Sequence, residues 1–591
     1  MRIIPARSVL APHRRAVTRR RNGFALEATL VVLILVGALI GLAATWMLGV
    51  TRTGAVDYRS ARVQNAVEAG ADAVMAQLEL AMEDGLLTAA ELDALTLPSM
   101  SGFTFEAMEA EIAGASEVRT ITSGPFAGLF SMNQPVEVEI AARDASSNRS
   151  RVVVTVNAQS IPLFQFGIFY EDDLEILPGA PMTFEGWVHT NSNLYLSSNS
   201  ANFESRITTP DSVIWRRKDN SSERLAGVYI NDDAGTKVKL GFDSRTYGNP
   251  ADFRARSETD FDSRLMTQAH GVSPLQLPLP LGMPAIELIR PRNHSGTDDA
   301  QTRNVKYAWK ADWHIDVIDL GNPGNLCKTG RSVLGSLRAS GKSKPTQAQC
   351  EKIFKVISNA FYDRREGKDV DLLEIDVAEL RSWVGTNSGR RTEILYVTFT
   401  GGSGSSSNYD YPAVRLVNGS TLPNELTIAT SHPLYVKGNY NSSSWKPAAI
   451  VGDAITFLSP SWNDANQTGT KKNNKNTASA MAVWAAVAAG HSATPCDDFR
   501  TGCTSPKYGG GLENFPRFLE SWSGKTMTYR GSLVSLFQAE RAVHNSWAHV
   551  GYYDAPNRDW EFDIRFQDPN NLPPGTPTVG SVFQTAYRPV F

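Results

Sequence analysis

The chain has 591 residues, 42% hydrophobic and 20% charged, and its 58 lysines and arginines against 61 aspartates and glutamates leave a formal net charge of −3. That length predicts two or more domains and a soluble globular bulk outside the N-terminal segment. The basic excess is confined to the first residues and no basic stripe follows, which excludes the electrostatic footprint of a nucleic-acid binder.

Residues 19–50 read RRRNGFALEATLVVLILVGALIGLAATWMLGV. From Ala28 to Val50 no side chain is charged, and these 23 residues, at about 1.5 Å each, reach roughly 35 Å, enough to cross a bilayer core. Arg2, Arg7, Arg14, Arg15, Arg19, Arg20 and Arg21 precede the run without an acidic residue. The positive-inside bias therefore predicts a cytoplasmic N-terminus, a single pass through the inner membrane, and a periplasmic or extracellular body. Gly37 and Gly41 form a small-xxx-small pair that would let a second helix approach.

An ordinary secretory signal has a shorter apolar core followed by its cleavage site, whereas here Gly23-Phe24 stands before the apolar run. This order resembles the class III leader of type IV prepilins. The resemblance implies cleavage after Gly23 by a prepilin peptidase, N-methylation of Phe24, and retention of the helix as anchor and filament stem. The family's glutamate usually stands fifth after the cut, but here Ala28 holds that place and Glu27 is fourth. One position turns that carboxylate by about 100° around the helix axis and alters subunit register. PilX-type minor pilins are the closer match. An uncleaved signal anchor and a twin-arginine export signal on Arg19 to Arg21 are the alternatives, and both also place the body outside.

Val56, Val63, Val67, Val74, Leu78 and Ala81 recur at helical spacing, which predicts that the spanning helix continues to about Asp84. Its segment NAVEAGADAVMAQL resembles PilX-like N-terminal domains; a juxtamembrane stalk is the alternative. Val136, Val138 and Ile140, then Val152, Val154 and Val156, alternate with polar residues across DASSNRSR, predicting a β-hairpin and a small α+β head that ends near Gln159.

From Phe164 onwards short strands alternate with Gly, Asn, Ser and Pro. Phe184 to Thr190, Ile450 to Thr456 and Tyr529 to Ser535 each enter a glycine as a strand and leave with alternation, and Leu434 to Gly438 is a partial fourth case. Such recurrence predicts a mainly-β domain of β-solenoid (β-helix) type, with a β-sandwich as the alternative. Residues 202–345 and 463–511 read as insertions, Thr346 to Tyr362 and Val377 to Val384 as helices, and GGSGSSSN at 401–408 as a flexible linker. The division is a leader at 1–23, a transmembrane helix at 24–50, a helical spine with a hairpin head at 51–160, and a β-rich ectodomain at 161–591. Phrases such as YEDDLEILPGAPMTFEGWVHTNSNLYL resemble a bacterial surface β-rich family found behind PilX-like N-termini, and that resemblance implies no activity.

In an exported chain the four cysteines are disulfide candidates, most simply Cys327 with Cys350 and Cys496 with Cys503, although three connectivities are open. Glu171, Asp172, Asp173 and Glu175 are calcium candidates, without EF-hand spacing. His189 reads as a turn residue, and His544 and His549 have no zinc-protease spacing. Neither a G-x-S-x-G elbow nor a phosphate loop occurs. The tryptophans would stack on sugars if exposed, and otherwise belong to the core.

These readings predict a non-enzymatic PilX-type minor pilin-like surface protein without a cofactor, unless calcium binds. It would join a pilus or pseudopilus through Glu27, Gly37 and Gly41 on its helix and display a β-rich ectodomain for assembly or adhesion. Its expected partners are other pilin subunits, the peptidase, the inner membrane and a surface ligand. A membrane-tethered polysaccharide-acting enzyme and a structural envelope protein are the alternatives.

Overall fold

The computed structural model describes residues 24–82, 87–219, 223–280, 282–293, 298–317, 343–399, 411–469, 474–494, 509, 511–544, 547 and 551–590. It consists of a long N-terminal helix followed by a mostly-β region of several sheets.

The helix runs unbroken from Phe24 to Ala81, 58 residues with no proline to interrupt the backbone ladder. Its second half carries the predicted stripe: Val63, Val67, Val74 and Leu78 are buried, and Met82 extends the row. Val56 does not belong to it and stays 59% exposed, because the head begins only one turn or two further along. The stripe packs on a five-stranded antiparallel sheet. Strand Phe130–Asp144 pairs with Arg149–Pro162 as the alternation predicts, with Val136 opposite Val156, Val138 opposite Val154 and Ile140 opposite Val152. Phe103–Ile112 and Glu117–Thr120 add to the far side of Phe130–Asp144. At Gly70 helix and sheet come so close that a Cβ would lie 2.8 Å from the Phe105 ring, so a larger residue would displace that ring.

The fourth main strand of this sheet, Thr578–Val590, comes from the end of the chain and pairs antiparallel with Arg149–Pro162. Everything between Pro162 and Thr578 is thus inserted into the head. Nothing in the pattern TVGSVFQTAYRPV singles out that partner.

In the body the chain places short strands in successive sheets and then stacks the next set on the last. Ile168, Val188 and Ile207 are aligned in one parallel ladder, and Leu174 and Leu194 in another. One ten-stranded sheet gathers these layers from both halves of the body. Strands Ile168–Tyr170, Val188–Thr190, Ile207–Thr208 and Leu265–Met266 build in one direction. The later strands start from Trp313–Val317 at the opposite edge and step back until Leu533–Gln538 lands on Ile168–Tyr170. Among the described body strands only two pairs are antiparallel, Ala226–Asn231 with Lys237–Lys239 and Phe354–Asp363 with Lys368–Asp376.

Each of the three full glycine phrases proves to be two strands of different sheets meeting at a corner. Gly186 lies between Met182–Phe184 and Val188–Thr190, and a Cβ there would come within 2.7 Å of the Gly167 Cα, so successive corners leave no room for a side chain.

Three expectations are corrected. Residues 202–345 are not an insertion throughout, since Ile207–Thr208, Val213–Ile214, Ala226–Asn231, Leu265–Met266 and Trp313–Val317 all enter body sheets. Residues 463–511 likewise supply Met481–Trp484 and Ala486–His491. Strands of two to six residues bury themselves on stacked neighbours and show too little alternation to be read from one chain. Finally, the helix expected over Thr346 to Tyr362 covers only Gln347–Ile353. The β-branched and aromatic run from Phe354 continues as a strand to Asp363, whereas the helix Val377–Val384 has its expected bounds. The 401–408 run lies outside the described residues.

Candidate functional site

The N-terminal half of the long helix has no partner surface among the described residues. From Leu26 to Val50 its large apolar side chains are exposed, from 44% at Val36 to 80% at Leu26, with Trp46 at 73%. A Cβ added at Gly37 or Gly41 would meet nothing within 4 Å, so the small pair forms a free notch on the helix surface. The polar groups in this stretch satisfy themselves: the Thr45 hydroxyl donates to the Gly41 carbonyl at 3.0 Å and the Thr51 hydroxyl to that of Met47 at 2.9 Å. An uninterrupted hydrocarbon surface remains, and among the described residues this is the one helix long and apolar enough to cross a membrane. Glu27 stands exposed in its first turn, where the helix dipole favours a carboxylate. Gly23 and the side chain of Phe24 lie outside the described residues.

The acidic cluster falls on a bend: Glu171, Asp172 and Asp173 link the strands Ile168–Tyr170 and Leu174–Ile176, and only Glu175 belongs to a strand. Glu171 accepts a hydrogen bond from Asn191 Nδ2 at 2.8 Å, and burial pushes its pKa up to about 7. Asp173 is also partly buried, but Lys218 Nζ at 2.8 Å and the Ser192 hydroxyl at 2.7 Å hold it below the usual carboxylate range. The Asp172 carboxylate faces His491 Nε2 at 3.8 Å and Gln538 at 3.4 Å. Glu175 is wholly buried in the strand Leu174–Ile176. The four are not brought together, and among the described residues no group of three or more His, Cys, Asp or Glu side chains could hold a metal ion.

Buried titratable groups instead concentrate within the layers of the body. His189 has Nδ1 2.8 Å from the Thr208 hydroxyl and Nε2 2.9 Å from Asn191 Oδ1, and it stacks on Phe169. Burial lowers its pKa from 6.5 to about 4. Unfolded, this imidazole takes a proton near 6.5, so its contribution to stability is complete above that pH and is lost as the pH falls to about 4. Glu175 has the opposite sign. Burial raises its pKa from 4.5 to about 8, so its contribution is complete below 4.5 and is lost as the pH rises to about 8.

Glu175→Gln is therefore expected to remove a decline of the order of 3 kcal/mol between pH 4.5 and 7, and His189→Gln to flatten the acid-side decline. Urea unfolding of the full chain across this range measures both. Profiles parallel to that of the unsubstituted protein would refute the assignment.

Cys350 is buried in its helix and disulfide-bonded. Cys327, Cys496, Cys503 and His549 lie outside the described residues, and His544 donates its backbone N–H to Glu366. The described tryptophans named here are not free platforms: Trp313, Trp522, Trp547 and Trp560 are buried, while Arg206 covers Trp187, and Arg292 and Arg303 lie over Trp309.

No protein-family model and no curated protein matches the chain. Among solved structures it is similar to the crystal structure of the competence-associated pilin ComZ from Thermus thermophilus, with 13% identity over 90% of this chain and 98% of that one, at a TM-score of 0.27. A likeness at that score fixes neither fold nor function.

Proposed function

We propose that the chain is a minor pilin-like subunit of a type IV pilus or pseudopilus, made as a prepilin, cut between Gly23 and Phe24, and held by its helix until it enters a filament. The observation that carries this reading is the division of labour along one continuous helix. From Val63 onwards one apolar stripe is buried under the head's antiparallel sheet, whereas Leu26 to Val50 present bare hydrocarbon. Such a surface requires either lipid or the matching helices of other subunits, and the Gly37–Gly41 notch suits close helix packing. The seven arginines ahead of Phe24 support a cytoplasmic N-terminus and an exported body.

We read the body as a β-solenoid, a reading supported by its in-register parallel ladders. Its role is display and contact through the loops between layers, by binding and not by catalysis. Immunogold labelling of sheared filaments tests the assignment. Label along or at the tips of filaments is expected, and label wholly retained with cell bodies would overturn it.

A further inference from the structure

The body leaves and re-enters the head at one place, since Thr578 pairs with Pro162 and the ladder then runs to Val590 opposite Arg151. The returning strand belongs to both halves of the molecule. Val579 packs into the body core beneath the ten-stranded sheet, and the Gly580 N–H donates to the Gln276 carbonyl of a body loop at 2.9 Å. Two residues on, Val582 is buried in the head core beside the long helix. The Tyr587 hydroxyl donates to Glu68 on that helix at 3.2 Å.

We propose that this returning strand is a clasp, completing the head only after the body has been made and folded. The helix and the strands up to Pro162 emerge first in synthesis, with one edge of Arg149–Pro162 open and the place of Val582 against the helix unfilled. The strand that closes both is made after the body strands, and it is brought to the head by the end of the body. A chain truncated or misfolded within the body therefore has an unfinished head. Only the consequence for assembly, that such a chain is withheld from a filament, rests on the pilin reading above.

Hydrogen exchange on the detergent-solubilised full chain tests the clasp without reference to filaments. Deleting residues 581–591, which leaves Val579 and Gly580 on the body, is expected to speed exchange at least tenfold in Arg149–Pro162 and in the helix from Val63 to Ala81, while Ala448–Gly452 and Ala486–His491 stay protected. Val582→Asp, which keeps the chain at full length, should reproduce that pattern, and Gln584→Glu at an exposed position of the same strand should not. Unchanged protection in the head would overturn the proposal. Loss of protection in the body as well would also overturn it, since the strand would then be a body element. Accelerated head exchange in the variants, together with intact protein that never enters filaments, would leave the clasp standing and remove the pilin reading.

Discussion

The double variant Leu35→Arg, Leu39→Arg is expected to lose the membrane. Both positions lie on one face near the middle of the exposed apolar stretch, and each arginine there opposes insertion by about 3 kcal/mol. Two such charges shift insertion by about 6 kcal/mol, roughly four orders of magnitude, so the chain should move from the carbonate-resistant membrane fraction to the wash. Leu35→Ile with Leu39→Ile preserves the hydrocarbon surface and should leave fractionation unchanged. The head should keep its fold in all cases, because the apolar stripe it packs on begins at Val63, far from both positions. Retention of the double-arginine chain on membranes would show that something other than this helix anchors it.

The second large effect is expected in the body, at a charge network sealed under residues 540–544 and Trp547. Arg517 and Glu366 are both nearly inaccessible, with Nη2 to Oε1 at 2.5 Å, and the guanidinium lies 4.6 Å from the Trp547 ring. The other Glu366 oxygen accepts the backbone N–H of His544 at 3.2 Å, and Arg365 donates to the Trp547 carbonyl at 2.5 Å. From the far side, Asp453 accepts the backbone N–H groups of Glu540, Arg541 and Ala542. Arg517→Ala removes the guanidinium paired with the buried Glu366 carboxylate and is expected to cost about 3–5 kcal/mol. Denaturant unfolding reads this directly, with Arg254→Ala as a control that removes an exposed i,i+4 pair with Glu258 and should leave the midpoint unchanged. A loss for Arg517→Ala no larger than for the control would mean that the network does not hold the segment.

The long helix could be read in advance because two local signals coincide: an uncharged run and an apolar stripe of helical period that follows it. The period alone could not say that the head begins at Val63 and not at Val56. The Val136–Val156 hairpin was legible for the same reason, since alternation on both sides of a turn specifies register. The glycine phrases were visible as repeats, but their meaning as corners depends on backbone approaches such as Gly186 to Gly167, which form only when layers stack. The acidic run EDDLE resembles a ligand set because its residues are adjacent in sequence, while the bend that carries the first three and their local hydrogen bonds and ion pairs send them to different partners. Two features carried no local signal. The closing strand Thr578–Val590 finds its partner at the other end of the chain, and Arg517 becomes a buried anchor only because Glu366 and Trp547 arrive from remote segments.

The most direct test of the central claim is the mass of the mature protein extracted from membranes. Prepilin maturation predicts a chain that starts at Phe24, carries one added methyl group at its amino terminus, and retains everything from Phe24 to Val50. A chain that still holds residues 1–23, or one that starts beyond Val50, would contradict it.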